Sequence, residues 1–137
     1  MAGVQFSFVN FSSLIQLSIG IADRLDENRV ESFSIMYCDF SSLDNQLIQN
    51  SLQDVLRNSD AIVHYDHHYF FVLPYTDKYG ATIVKNMFEE FFNIPLKSSI
   101  VAYPKHGDDA QSLLGALQIK ADNENGDKLS FLDTQEE

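Results

Sequence analysis

Two short apolar runs, Ala61-Ile62-Val63-His64-Tyr65 and Tyr69-Phe70-Phe71-Val72-Leu73, stand only three residues apart. Both are rich in β-branched and aromatic side chains, so both read as strands. A link this short joins antiparallel neighbours, because parallel strands need a crossover of a dozen residues or more. The pair is therefore a β-hairpin. Pro74 ends it, having no N–H to continue a ladder. Elsewhere strands alternate with helices. A tight hairpin among such units excludes a doubly wound parallel sheet and predicts an α/β (α+β) fold, a mixed central sheet flanked by helices.

The remaining elements follow from hydrophobic spacing. Residues 1–11 form an apolar lead-in, either a short strand or extended chain, with Val4, Phe6 and Phe8 alternating. Residues 12–28 are read as a helix capped by Ser12 or Ser13, since 17 residues is long for a strand. Gly20 inside it costs roughly 1 kcal/mol. Phe33 to Cys38 is a buried strand ending at Asp39. Ser42 to Arg57 carries Leu43, Leu47, Ile48, Leu52, Val55 and Leu56 on one helical face. Asp77 to Phe92 and Asp108 to about Ala121 are further helices, and Leu96 to Tyr103 is a strand between them. Residues 123–127 read as a turn, Leu129 to Leu132 as a last short strand, and 133–137 as a frayed tail of one domain spanning 1–137.

Charge narrows the partners. The chain has 9 basic and 20 acidic side chains, net −11, and its arginines are Arg24, Arg29 and Arg57. Nucleic acid and anionic membrane surfaces both need clustered Lys and Arg, so neither is expected as a partner. No apolar run reaches a membrane span, and the N-terminus lacks the basic and apolar regions of a signal peptide. A lone Cys38 suits a reducing compartment, and the expected location is cytoplasmic.

Four segments carry a family resemblance. They are Phe33 to Asp39; Leu56-Arg57-Asn58-Ser59-Asp60 running into Ala61 to Tyr65; Phe71-Val72-Leu73-Pro74-Tyr75-Thr76 with Ala81 beyond; and Tyr103-Pro104-Lys105-His106-Gly107-Asp108-Asp109-Ala110 with Leu113-Leu114. In this order and spacing they resemble a bacterial GGDEF domain, the diguanylate cyclase fold. The fourth is the most specific, matching the family's YPxHGxDAxxLL. The resemblance covers about residues 3 to 131 and implies a nucleotidyl-cyclase-like sheet.

Departures from the family pattern fall on its chemistry. The signature pentapeptide belongs on the hairpin turn, where this chain has Asp66 to Phe70 in one register or Tyr65 to Tyr69 in the other. Neither holds a glycine pair or a glutamate. Glycines let phosphate approach backbone, and a carboxylate holds Mg²⁺ to activate a hydroxyl. Asp39 matches a metal-ligand position, but the next acidic position is Ser41, and the family's Phe and Lys are Leu43 and Asp44. The expectation is an inactive cyclase with no catalytic residues, no metal and no cofactor.

One functional motif is retained. Arg57 and Asp60 have the RxxD spacing of the family's inhibitory site, which implies a cyclic di-GMP ligand. A guanidinium forks onto phosphate or a guanine edge, and a carboxylate accepts from guanine N–H groups. As ordinary structure, the same residues are a helix-end charge and a turn cap. Lys85 and Lys78 are the nearest further cations. His64, Asp66, His67 and His68 are read as a solvated hairpin tip rather than a metal cluster, Cys38 as a core thiol, and His106 as a packing or capping residue. Three functions follow in order: a regulatory module binding cyclic di-GMP; a protein-interaction or homodimerisation module using the N-terminal helix or Val4, Phe6, Phe8 and Phe11; and an active diguanylate cyclase.

Overall fold

The computed structural model describes residues 2–25 and 30–135. Five strands make one sheet: β1 (Val4–Phe6), β2 (Glu31–Asp39), β3 (Ala61–Tyr65), β4 (His68–Pro74) and β5 (Ser98–Pro104), in the order β1-β3-β4-β2-β5. β1 runs parallel to β3, and the other neighbours are antiparallel. The sheet is mixed, as the hairpin requires.

Four helices cover it: α1 (Phe11–Leu25), α2 (Asn45–Val55), α3 (Lys78–Phe92) and α4 (Ala110–Asn125). α1 and α4 pack on one face, against Ile35, Tyr37, Val63, Phe70 and Val72. α2 and α3 pack on the other, against Met36, Cys38, Ile62, Phe71 and Leu73. Successive residues of β2 and β4 thus enter opposite cores. That is why the middle of each strand, Ile35 to Cys38 in β2 and Tyr69 to Leu73 in β4, is continuously apolar rather than alternating.

Aspartates start three of the helices. Asp44 accepts from the Gln46 N–H at 2.8 Å, Asp77 from Gly80 at 2.8 Å, and Asp109 from Ser112 at 2.7 Å. α1 is different. It begins at Phe11, so Ser12 and Ser13 lie inside it and neither caps it. The Ser12 N–H instead donates to Gln135 Oε1 at 2.9 Å. The expected end of this helix at 26–28 lies outside the described residues.

Other boundaries also move, each for a local reason. α2 starts after Asp44 rather than at Ser42, and stops at Val55 because Leu56 turns extended (φ −89°, ψ 151°). α4 runs past Ala121 to Asn125, so the expected turn at 123–127 is largely helical; Gly126 (φ 72°) closes it by donating to Asp122 O. Residues 129–132 are not a strand. Ser130–Thr134 is a 3-10 turn, with Leu129 and Leu132 both buried three residues apart, the repeat of that helix rather than of a strand. Residues 133–135 are not frayed either: Asp133 accepts from Gln118 Nε2 at 2.9 Å, and Gln135 is buried. Residues 136–137 lie outside the description.

Candidate functional site

The retained motif sits where α2 gives way to β3. Once the helix ends at Leu56, the Arg57 N–H donates to Asp60 Oδ2 at 2.9 Å rather than continuing the helical ladder. Two backbone bonds then tie this turn to the sheet edge. Gly3 N–H donates to Arg57 O and Val4 N–H to Asp60 O, both at 2.9 Å. Gly3 has φ 77°, and a Cβ there would lie 2.7 Å from Ile62 Cδ1, so glycine is needed at this approach.

Arg57 and Asp60 are brought together as an ion pair. Arg57 Nη2 donates to Asp60 Oδ1 at 2.8 Å and Nε to the same oxygen at 3.3 Å. Nη2 also reaches Pro74 O at 2.8 Å and Thr76 Oγ1 at 3.1 Å. The Asp60 side chain is 2% exposed and that of Arg57 53% exposed. The carboxylate is thus committed to Arg57, while the guanidinium presents its other edge to solvent. Nη1 makes no hydrogen bond among the described residues.

That edge opens on a groove of about 330 Å³ lined by Arg57, Tyr75, Thr76, Asp77, Gly80, Ile83 and Val84. Its walls are the β4 exit and the first turns of α3. Gly80 lets them meet, since a Cβ there would come 2.9 Å from Thr76 Cγ2. Tyr75 is half-exposed at φ 54°, a backbone region that bulky residues seldom occupy. A fixed guanidinium beside an aromatic ring suits an anionic ligand with a planar base. Neither Lys78 nor Lys85 lines this groove, and Lys85 pairs with Glu89 at 3.5 Å.

Sequence reading missed Tyr75, Thr76 and the Pro74 carbonyl as part of this site. They lie 17 to 19 residues from Arg57, and only the fold-back of β4 onto β3 joins them. The Pro-Tyr-Thr exit from the strand was visible, but positive φ usually announces itself through Gly or Asn, not Tyr.

The hairpin tip is a second cluster. Asp66-His67 forms a two-residue turn, tighter than the expected three, because His68 pairs with Tyr65. Asp66 takes the positive φ of 56°. Asp39 Oδ1 accepts from the Ser41 N–H at 2.9 Å, and His67 Nε2 stands 3.7 Å from it. Behind the turn, burial first, then Asp127 and Asp39, hold the Tyr37 hydroxyl far above the usual tyrosine range. It is thus a proton donor, and it meets His68 Nδ1 at 2.9 Å. Phe131 stacks on Tyr65 at 4.5 Å and lies 4.9 Å from His68, lidding the strand ends. Among the described residues, no three His, Cys, Asp or Glu side chains gather as metal ligands do.

The isolated candidates are structural. Cys38 is fully buried, and burial pushes its thiol well up, away from the reactive thiolate. His106 Nδ1 accepts from the Ala102 N–H at 2.9 Å, closing the end of β5.

The backbone is similar to that of a sensory box/GGDEF family protein from Caulobacter crescentus CB15. The TM-score is 0.66 at 13% sequence identity, over 88% of this chain and 93% of that one. This chain has a GGDEF-like fold. No family model matches its sequence, and no curated protein matches it. At that identity the likeness is one of fold. No helix of the described residues is long and apolar enough to cross a membrane.

Proposed function

We propose that this chain is a non-catalytic regulatory domain on the GGDEF fold that binds cyclic di-GMP in the Arg57 groove. The observation that carries the reading is the Arg57 guanidinium, held by Asp60, Pro74 and Thr76 with its free edge on a groove walled by Tyr75. A pre-positioned guanidinium loses little freedom on binding, and its fork matches a phosphate or the O6/N7 edge of guanine. Asp60 acts here by holding Arg57, not by reading the base directly. The tip supports the non-catalytic half. Asp39 accepts from the Ser41 N–H and stands 3.7 Å from one ring nitrogen of His67, while the hairpin's own carboxylate, Asp66, stands 3.7 Å from the other, so a histidine lies between the two carboxylates that Mg²⁺ would need together.

Calorimetric titration of cyclic di-GMP tests the ligand. Binding at about micromolar Kd, lost in Arg57→Ala and weakened at least tenfold in Arg57→Lys, is expected. Absence of heat and of thermal shift at saturating ligand would overturn it. GTP turnover with Mg²⁺ or Mn²⁺ tests the rest, and cyclic di-GMP product from purified protein would remove the non-catalytic assignment.

A further inference from the structure

α3 turns an apolar stripe to solvent. Tyr79, Ile83 and Met87 follow one another a turn apart and are 75%, 43% and 41% exposed. The core side of the same helix is filled by Ala81, Phe88 and Phe92. Side chains at i, i+4 and i+8 make a stripe about 12 Å long.

Beside Met87 the seam between α2 and α3 deepens into a cleft of about 360 Å³, lined by Asp54, Val55, Met87, Glu90 and Phe91. Val55 and Phe91 pack against the core beneath it, so its floor is apolar. Its rims are two exposed carboxylates, Asp54 from α2 and Glu90 from α3. Among the described residues neither carboxylate has a hydrogen bond or an ion pair. The chain's nearby cations are directed elsewhere. Lys78 and Lys85 lie on the opposite side of α3 from Ile83, at about 100° per residue. Glu89 holds Lys85 there at 3.5 Å, and Arg57 is committed to Asp60.

We propose that this seam docks a basic amphipathic helix of another protein, with an arginine in the Asp54–Glu90 cleft and apolar residues on Ile83 and Tyr79. Charge selects the occupant. A purely apolar partner would strip water from two unpaired carboxylates without replacing it. An acidic partner, or a second copy of a chain at −11, is repelled. An arginine satisfies both halves of the cleft: its stem covers Val55 and Met87, its planar head stacks on Phe91, and its N–H groups reach the carboxylates. The stripe selects the helical form, since anchors one turn apart on α3 match anchors one turn apart on a partner helix. The cleft shares no lining residue with the Arg57 groove.

Fluorescence anisotropy tests it with a labelled synthetic helix of alanine, leucine and arginine, about 18 residues long, in about 0.15 M salt. No nucleotide is present, so the outcome does not depend on the Arg57 ligand. A Kd of about 10–100 µM is expected. Asp54→Asn with Glu90→Gln should weaken binding at least tenfold. Asp108→Asn with Asp133→Asn removes the same two charges at exposed positions outside the cleft, and should change binding less than twofold. The same peptide with glutamine for arginine should not bind in this range. Unchanged melting temperatures confirm that both variants are folded. Absence of binding up to about 1 mM overturns the proposal. An equal loss in the Asp108 and Asp133 variant also overturns it, by reducing the attraction to net charge. Equal affinity for the glutamine peptide does the same, by reducing it to apolar contact.

Discussion

Gln135 closes the first helix from the far end of the chain: its Oε1 accepts from the Ser12 N–H at 2.9 Å, and its Nε2 donates to Phe8 O at 2.6 Å, across 123 residues in the first case. The amide satisfies one of the orphan N–H groups of α1 that a serine cap was expected to serve. Gln135→Ala should therefore cost about 1–2 kcal/mol and lower the melting temperature by about 4 °C. Thermal unfolding followed by circular dichroism measures it. An unchanged melting temperature would mean that solvent replaces the amide and the 3-10 turn contributes only through Leu129 and Leu132.

Arg57 and Asp60 should be energetically coupled. Asp60→Ala strands the Arg57 backbone N–H, and Arg57→Ala leaves a carboxylate that is 2% exposed without its guanidinium. Each change is expected to cost about 2 kcal/mol, and the double variant less than the sum by about 1 kcal/mol or more. Urea unfolding of the four proteins gives the coupling directly. Strict additivity would show the two side chains to be independent, and the site would lose its pre-positioned cation.

The larger features of this fold are written locally. Three-residue spacing of two apolar runs dictates the hairpin, and the mostly apolar Phe33 to Cys38 run, broken only by Ser34, reports burial on both faces of β2. What the residues do not announce is non-local. Nothing near Ser12 points to Gln135, and nothing near Arg57 points to Thr76. The strand expected at 129–132 was misread because Leu129 and Leu132 fit either a short strand or a 3-10 turn, and packing against α4 chooses the turn. The site is legible to the same degree. The RxxD spacing was visible, but whether the carboxylate faces a ligand or its own arginine depends on where β4 exits.

Stability should fall on mild acidification. His68 Nδ1 shares a hydrogen bond with the Tyr37 hydroxyl at 2.9 Å, and burial, then His67, lower its pKa from the ordinary 6.5, while Asp39, Asp127 and Asp66 pull the other way without reversing it. His106, accepting from Ala102, is lowered by burial and then by Lys120 and Lys105. The unfolded chain thus takes up these protons at higher pH than the fold does. Their contribution is complete above about pH 6.5 and is lost as pH falls through the lower folded-state values. Glu31, lowered chiefly by the Lys78 N–H, acts in the same direction but only below its ordinary 4.5. Melting temperature should drop between about pH 7 and pH 5, and His68→Gln should flatten part of that slope. A wild-type curve flat over this range would sink the assignment.

Tyr75 separates stability from binding. Its φ of 54° suits glycine, and a bulky L-residue there is strained by about 1–2 kcal/mol. Tyr75→Gly relieves that strain, gives up the contacts of a half-exposed ring, and gives back about 0.5–1 kcal/mol through the freer unfolded chain. A net gain of about 0.5 kcal/mol, or roughly 2 °C in melting temperature, is expected. The same change removes the aromatic wall of the Arg57 groove. Ligand stacking on a ring contributes about 1–3 kcal/mol per base, so cyclic di-GMP affinity should fall at least fivefold in Tyr75→Gly and be kept in Tyr75→Phe. A variant that is more stable and binds more weakly fits a strained residue kept for its ring. A variant less stable and unchanged in binding would make Tyr75 an ordinary packing residue and move the ligand elsewhere on the Arg57 edge.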